Sequence, residues 1–291
     1  RDREASMAST SDCRTDALPS TYEVPIVRDL GVPCSEPIQS EYRMDRRSRG
    51  HCLIINMSRF NPILGLKPEQ RRKGCCDRKA EQVKKTFESM GFDCEVCRDL
   101  KIDEITKKLT EYRNKKKELF ASNSFVCWFL TCRTEDNNGV QLYTYDRQIK
   151  LKDIIQPFLG DNCPELVGKP KLFFVEADNM KKYEEHMLAD VRSRWRPETA
   201  YKIPICADVL LGACMCPRRD YCYDMQYAET FCDVFNEHCI TEPANEITVL
   251  LDKIAEDVRR RNGDCMTTSS HLSTFTKHLY LTKVHGQNSS R

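Results

Sequence analysis

The sequence predicts an α/β fold: a mostly parallel sheet covered by helices on both faces. Three observations lead there. Short apolar runs recur at Cys52 to Met57, Phe125 to Leu130 and Leu172 to Ala177, and a run apolar at nearly every position suits a strand buried on both faces. Between such runs lie segments whose apolar residues recur every three or four positions, as an amphipathic helix requires. Strand and helix alternate along the chain, the order expected of crossover connections in a parallel sheet.

The elements follow in order. Residues 1–40 are rich in Ser, Thr, Asp and Pro without an apolar period, and a disordered leader is expected there. Cys52 to Met57 is the first strand. Ala80, Val83, Phe87 and Met90 mark a helix that Gly91 stops. Phe92 to Cys97 is a strand, and Ile102, Ile105, Leu109, Tyr112 and Leu119 trace one long helix with the basic run 113–117 on its solvated face. Phe125 to Leu130 is a central strand. Val140 to Tyr143 and Gln148 to Leu151 suggest a small hairpin around Asp146, and Leu172 to Ala177 is the next central strand. The charged stretch 179–200 lacks a clear apolar period and reads as a linker. A strand from Ala207 to Met215 follows. Helices come next, one turning Ala228, Phe231 and Phe235 inward, the other Ile247, Leu250, Leu251, Ile254 and Val258. A last strand is expected over Ser270 to Leu281, followed by a tail at 286–291.

Composition excludes several classes of function. The 46 basic and 44 acidic side chains of the 291 residues leave a net charge of +2, which offers no reason to expect nucleic acid or a membrane surface as partner. No apolar run approaches the roughly 20 residues that span a bilayer. No basic-then-apolar secretion signal opens the chain, so a cytoplasmic protein with reduced thiols is expected. Cys94-x-x-Cys97 and Cys214-x-Cys216 fall in strands without a Cys or His quartet at finger-like spacing. The 17 cysteines therefore read as small apolar side chains, and no metal or other cofactor is implied.

Several motifs stand in a telling order. Lys169-Pro-Lys-Leu-Phe-Phe-Val-Glu-Ala-Asp178 resembles the nucleophile strand of a caspase, which leads through Lys-Pro-Lys into Gln-Ala-Cys-Arg-Gly. Phe125 to Thr131, continuing as Cys132-Arg133, is similar to the strand that carries the family's Ser-His-Gly. Arg49 to Asn56 resembles the first strand, Lys202-Ile-Pro with Ala207-Asp208 the start of the small subunit, and Phe275 to Leu281 the last strand. The resemblance spans residues 41–285 and is to short-leader executioner caspases of insect type. It implies a three-layer sandwich with a six-stranded sheet: a large-subunit-like part at 41–178, a linker at 179–200 and a small-subunit-like part at 201–285. Asp16 and Asp190 then stand as candidate cleavage positions in leader and linker.

What the resemblance implies about chemistry is a loss. Asp178 occupies the position of the nucleophilic cysteine, Cys132 that of the histidine and Arg133 that of the glycine whose N–H helps bind the oxyanion. A carboxylate lacks thiol nucleophilicity and repels the developing oxyanion; a thiol does not shuttle protons near pH 7 as imidazole does. Roles exchanged, with Cys132 as nucleophile, would require a base, and the motif alignment places no histidine beside it. The acid-binding pocket is altered too. Arg72 is a remnant of its first arginine, Glu176 stands for its glutamine and is expected to face the substrate's acid, and Tyr223 replaces its second arginine. The expectation is a non-enzyme with no small-molecule substrate. It would pair, through an edge strand holding Ser270, Leu272 and Thr274, with a catalytically active caspase or with a second copy of itself, activation being favoured over inhibition. The alternatives are a scaffold or decoy that sequesters caspase inhibitors or adaptors, and a residual peptidase built on Cys132.

Overall fold

A computed structural model describes residues 40–45, 48–64, 75–136, 139–179, 207–215, 226–239, 245–261 and 269–282, all within one unit, Gln39–Arg291. Among the described residues there are eight strands and six α-helices. In chain order they are β1 (Ser48–Asn56), α1 (Cys75–Ser89), β2 (Asp93–Arg98), α2 (Ile102–Asn114), α3 (Lys116–Ala121), β3 (Ser122–Asp136), β4 (Gly139–Tyr143), β5 (Gln148–Lys150), α4 (Leu151–Ile155), β6 (Lys171–Asn179), β7 (Val209–Met215), α5 (Tyr227–His238), α6 (Ile247–Arg261) and β8 (Ser269–Ser273).

The main sheet runs β2-β1-β3-β6-β7-β8. Its first five strands are parallel and β8 pairs antiparallel with β7. Two apolar cores sandwich it. Cys52 and Ile54 of β1 and Val126, Trp128 and Leu130 of β3 point into a core shared with α1, α5 and α6. Their alternates Leu53, Ile55, Phe125, Cys127 and Phe129 point into a second core under α2, α3 and α4. Alternation of side chains across a strand thus turns continuous apolar runs into two faces, each needing a cover. Gly50 is the close approach between β1 and β3: its φ is +136°, and a Cβ there would lie 1.9 Å from the Ser124 carbonyl oxygen.

Two expectations are corrected. The long second helix is two helices, α2 and α3, broken at Lys115, whose φ and ψ of −72° and 51° are not helical. The spacing from Tyr112 to Leu119 equals two helical turns, so the sequence period carries no sign of the break. The last strand is also much shorter than Ser270 to Leu281. The strand ends at Ser273, with one further backbone bond from the Thr274 N–H to the Val209 carbonyl, and Leu279 and Leu281 leave the sheet to become buried in the first core. Burying two leucines outweighs extending an edge ladder, since each fully buried Leu is worth about 1.5–3 kcal/mol.

Candidate functional site

The site predicted from the motifs lies at the carboxyl ends of β3 and β6, where ligands of open α/β sheets bind. The parallel register sets Cys132 directly beside Asp178, Arg133 beside Asn179 and Leu130 beside Glu176. Residues 46 positions apart in sequence are therefore immediate neighbours, as the resemblance implied.

Their surroundings differ from one another. Asp178 is partly exposed at the strand end. Cys132 is fully buried in the second core. Alternation from Leu130 would turn Cys132 to the first core instead. The change comes where β3 loses β1 as a neighbour at Leu130 and takes up β4, with Thr131 Oγ1 donating to the Tyr143 carbonyl at 2.6 Å. Arg133 is also buried and pairs with Leu142 of β4. The chain thus runs on as extended strand to Asp136, where the resemblance implied a glycine turn.

Glu176 corrects a second expectation. Among the described residues it faces a buried lysine rather than an open acid-binding pocket. Its side chain points into the first core, where Oε1 lies 3.0 Å from Lys79 Nζ of α1 and Oε2 accepts the Ala228 N–H at 2.7 Å. Both side chains of the pair are at most 1% exposed. Desolvating two charges costs several kcal/mol each, and the bond at the start of α5 adds a donor and a favourable helix dipole to offset it. Lys79 was missed in the sequence. Its signal was there: Lys79 lies four residues before Val83 and eight before Phe87 on the apolar stripe of α1, and Glu176 interrupts the apolar run of β6. Opposite charges inside two apolar faces are a pair in waiting.

The neighbouring loops are pinned by acids. Asp77, in the first turn of α1, accepts from Asn56 at 2.6 Å and Ser58 at 3.0 Å. Asp99, at φ 52°, accepts the N–H groups of Ser58 and Arg59. Burial pushes the thiols of Cys52, Cys127 and Cys163 up, that of Cys97 to about 11 and that of Cys232 to about 12, so these cysteines are neutral packing groups at pH 7. Of the remaining predicted positions, Arg72, Tyr223, Asp16 and Asp190 lie outside the described residues. Ser270 and Leu272 lie on β8, the sheet edge, and Thr274 just past it.

Residues 49–280 match the caspase domain family. The chain belongs to the caspase family. Caspase-6 of Gallus gallus is 28% identical over 239 residues, 77% of this chain and 74% of that protein. Caspase-1 of Drosophila melanogaster is 32% identical over 180 residues, 61% of this chain, and the matched stretch is 52% of the fly protein's length. Among solved structures, that described as pro-sf-caspase-1 superposes with a TM-score of 0.67 at 22% identity, covering 84% of this chain and all of the other. Caspase-1 from Spodoptera frugiperda gives 0.64 at 23% identity, covering 86% and 98%. These confirm the caspase fold that the motifs implied.

Proposed function

We propose that this chain is a non-catalytic caspase homologue that acts in the cytoplasm by pairing with a catalytically active caspase and raising its activity. One observation carries the reading: the two neighbouring positions where the family's dyad stands hold a buried thiol and a carboxylate. Cysteine proteolysis needs a thiolate beside an imidazole and open to substrate. Cys132 has no open face, and the described histidines lie on other elements, His51 near the opposite end of β1, His238 ending α5, His271 on β8 and His278 beyond it. Locking Glu176 onto Lys79 fits a cleft no longer shaped for an acidic substrate. Pairing is assigned to β8, because an edge strand offers unpaired backbone groups to a second edge.

The test has two parts. The purified chain should hydrolyse no Asp-directed peptide and should resist caspase-directed electrophiles; labelling at Cys132, lost in Cys132→Ala, would restore the peptidase reading. Mixed with an active caspase, it should co-elute and increase turnover. Co-elution with a caspase inhibitor protein while the caspase is left untouched would favour a decoy instead.

A further inference from the structure

Two cysteines of the first core are placed to do more than fill space. The parallel register of β1 and β2 sets Cys52 directly beside Cys94. Both side chains turn to the same core, Cys52 within it and Cys94 at its margin. Paired strands run about 4.8 Å apart, inside the roughly 4.4–6.8 Å between Cα atoms that a disulfide spans. The thiols already interact: after burial itself, the Cys94 thiol beside it does most to push the Cys52 thiol up. Access differs between the two. β2 is the outer strand of the sheet, and Cys94 is half-buried there, its Sγ–H donating to the Phe92 carbonyl at 3.7 Å. Cys52 is fully buried behind it. Cys97 supplies a contrast on the same strand: it turns to the second core, and its register partner on β1 is Ile55 rather than a cysteine.

We infer that Cys94 and Cys52 are a peroxide-responsive dithiol, an oxidation site that closes to a disulfide between β1 and β2. Cys94, the thiol nearer solvent, attacks hydrogen peroxide as its thiolate. The O–O bond breaks, one oxygen stays on Cys94 as a sulfenic acid, and the other leaves as hydroxide and is protonated to water. The Cys52 sulfur then attacks the Cys94 sulfur. Its S–O bond breaks, and the departing hydroxide takes the Cys52 proton as a second water. Two thiols give up two electrons, and peroxide is reduced to two waters. Adjacency offsets the low acidity of Cys52, because a thiol fixed at the register position has an effective concentration that no free thiol reaches. Exchange with a reduced dithiol reverses the bond. Neither cysteine stands at a dyad position, so the inference holds whether or not the chain is catalytic.

The test treats the folded, full chain with a small excess of hydrogen peroxide, caps the remaining thiols with iodoacetamide and maps tryptic peptides by mass without reduction. The expected product joins the peptide carrying Cys52 to the one carrying Cys94 and Cys97, two hydrogens lighter than their sum, and dithiothreitol releases it. Cys97→Ala should form this cross-link at an unchanged rate. Cys94→Ala should lose it and leave Cys52 a free thiol. Unfolding the parent chain in urea before oxidation should scatter Cys52 among many partners, because the folded register is what selects Cys94. The inference is overturned if the folded chain gives no link between Cys52 and Cys94, or if Cys94 advances to sulfinic acid while Cys52 stays reduced. Loss of the link in Cys97→Ala, or equal selectivity in urea, overturns it as well.

Discussion

Lys79 and Glu176 illustrate how much a single pair decides at the residue scale. Removing one partner leaves an uncompensated charge in the first core, so Lys79→Met should lower unfolding free energy by about 3–5 kcal/mol in urea melts. Adding Glu176→Gln should recover much of that loss, because the amide oxygen still accepts the Ala228 N–H. Equal stability of the single and double variants would refute the pairing. His51 gives a pH prediction. It is buried edge-on against Tyr112, and burial, with the Lys115 charge, lowers its pKa below 6.5 despite Asp93 and Glu118. The unfolded chain therefore binds a proton that the folded one refuses, and stability should fall as pH drops below about 6.5. His51→Gln should flatten that slope between pH 7.5 and 5.5 relative to the parent.

At the scale of the element, β8 is where expectation and structure part most usefully. Leu272 is 48% exposed on the edge, consistent with a position awaiting another strand. Thr274 is turned to its own chain: its backbone exchanges bonds with Asp208 and Val209, and its Oγ1 accepts the Val209 N–H at 3.0 Å. The two positions should thus respond differently. Leu272→Arg should abolish co-elution with an active caspase while leaving the thermal midpoint nearly unchanged. Thr274→Val should cost about 1 kcal/mol of stability and leave association intact. If Leu272→Arg still co-elutes and stimulates turnover, β8 is not the interface.

At the scale of the whole molecule, the proposed reading implies that placing a Cys and a His at the two neighbouring positions does not by itself make a protease. Asp178→Cys with Cys132→His would restore both side chains to neighbouring positions, yet position 132 is enclosed by the second core and Arg133 continues a paired strand. An imidazole there is overpacked, and no glycine turn presents an oxyanion donor. Losing one such donor elsewhere costs about 10²–10³ in rate. Turnover of an Asp-directed peptide by the double variant should therefore remain at least about a hundred-fold below that of a working caspase; activity within ten-fold of one, measured side by side, would show the cleft to be intact.

The sequence by itself determined the fold and set Cys132 and Asp178 at the ends of neighbouring strands. Apolar runs such as Leu172 to Ala177 and stripes such as Ala80, Val83 and Phe87 are local patterns, and local patterns dictate which faces must be buried. The motifs ending in Cys132 and Asp178 were legible for the same reason. Only the tertiary structure decided what faces what. A strand has two faces, and nothing near Glu176 says which one carries the substrate cleft; the partner that claims it, Lys79, is 97 positions away. Leu279 and Leu281 fit the alternation of an edge strand equally well, and they entered the core because the space bounded by α6 and the segment before β1 is filled by burying them. Nothing in the spacing of Cys52 and Cys94 marks them as a pair; the register of β1 with β2 sets them side by side. Periodicity records which residues must leave water, whereas their partners are chosen by packing across the whole chain.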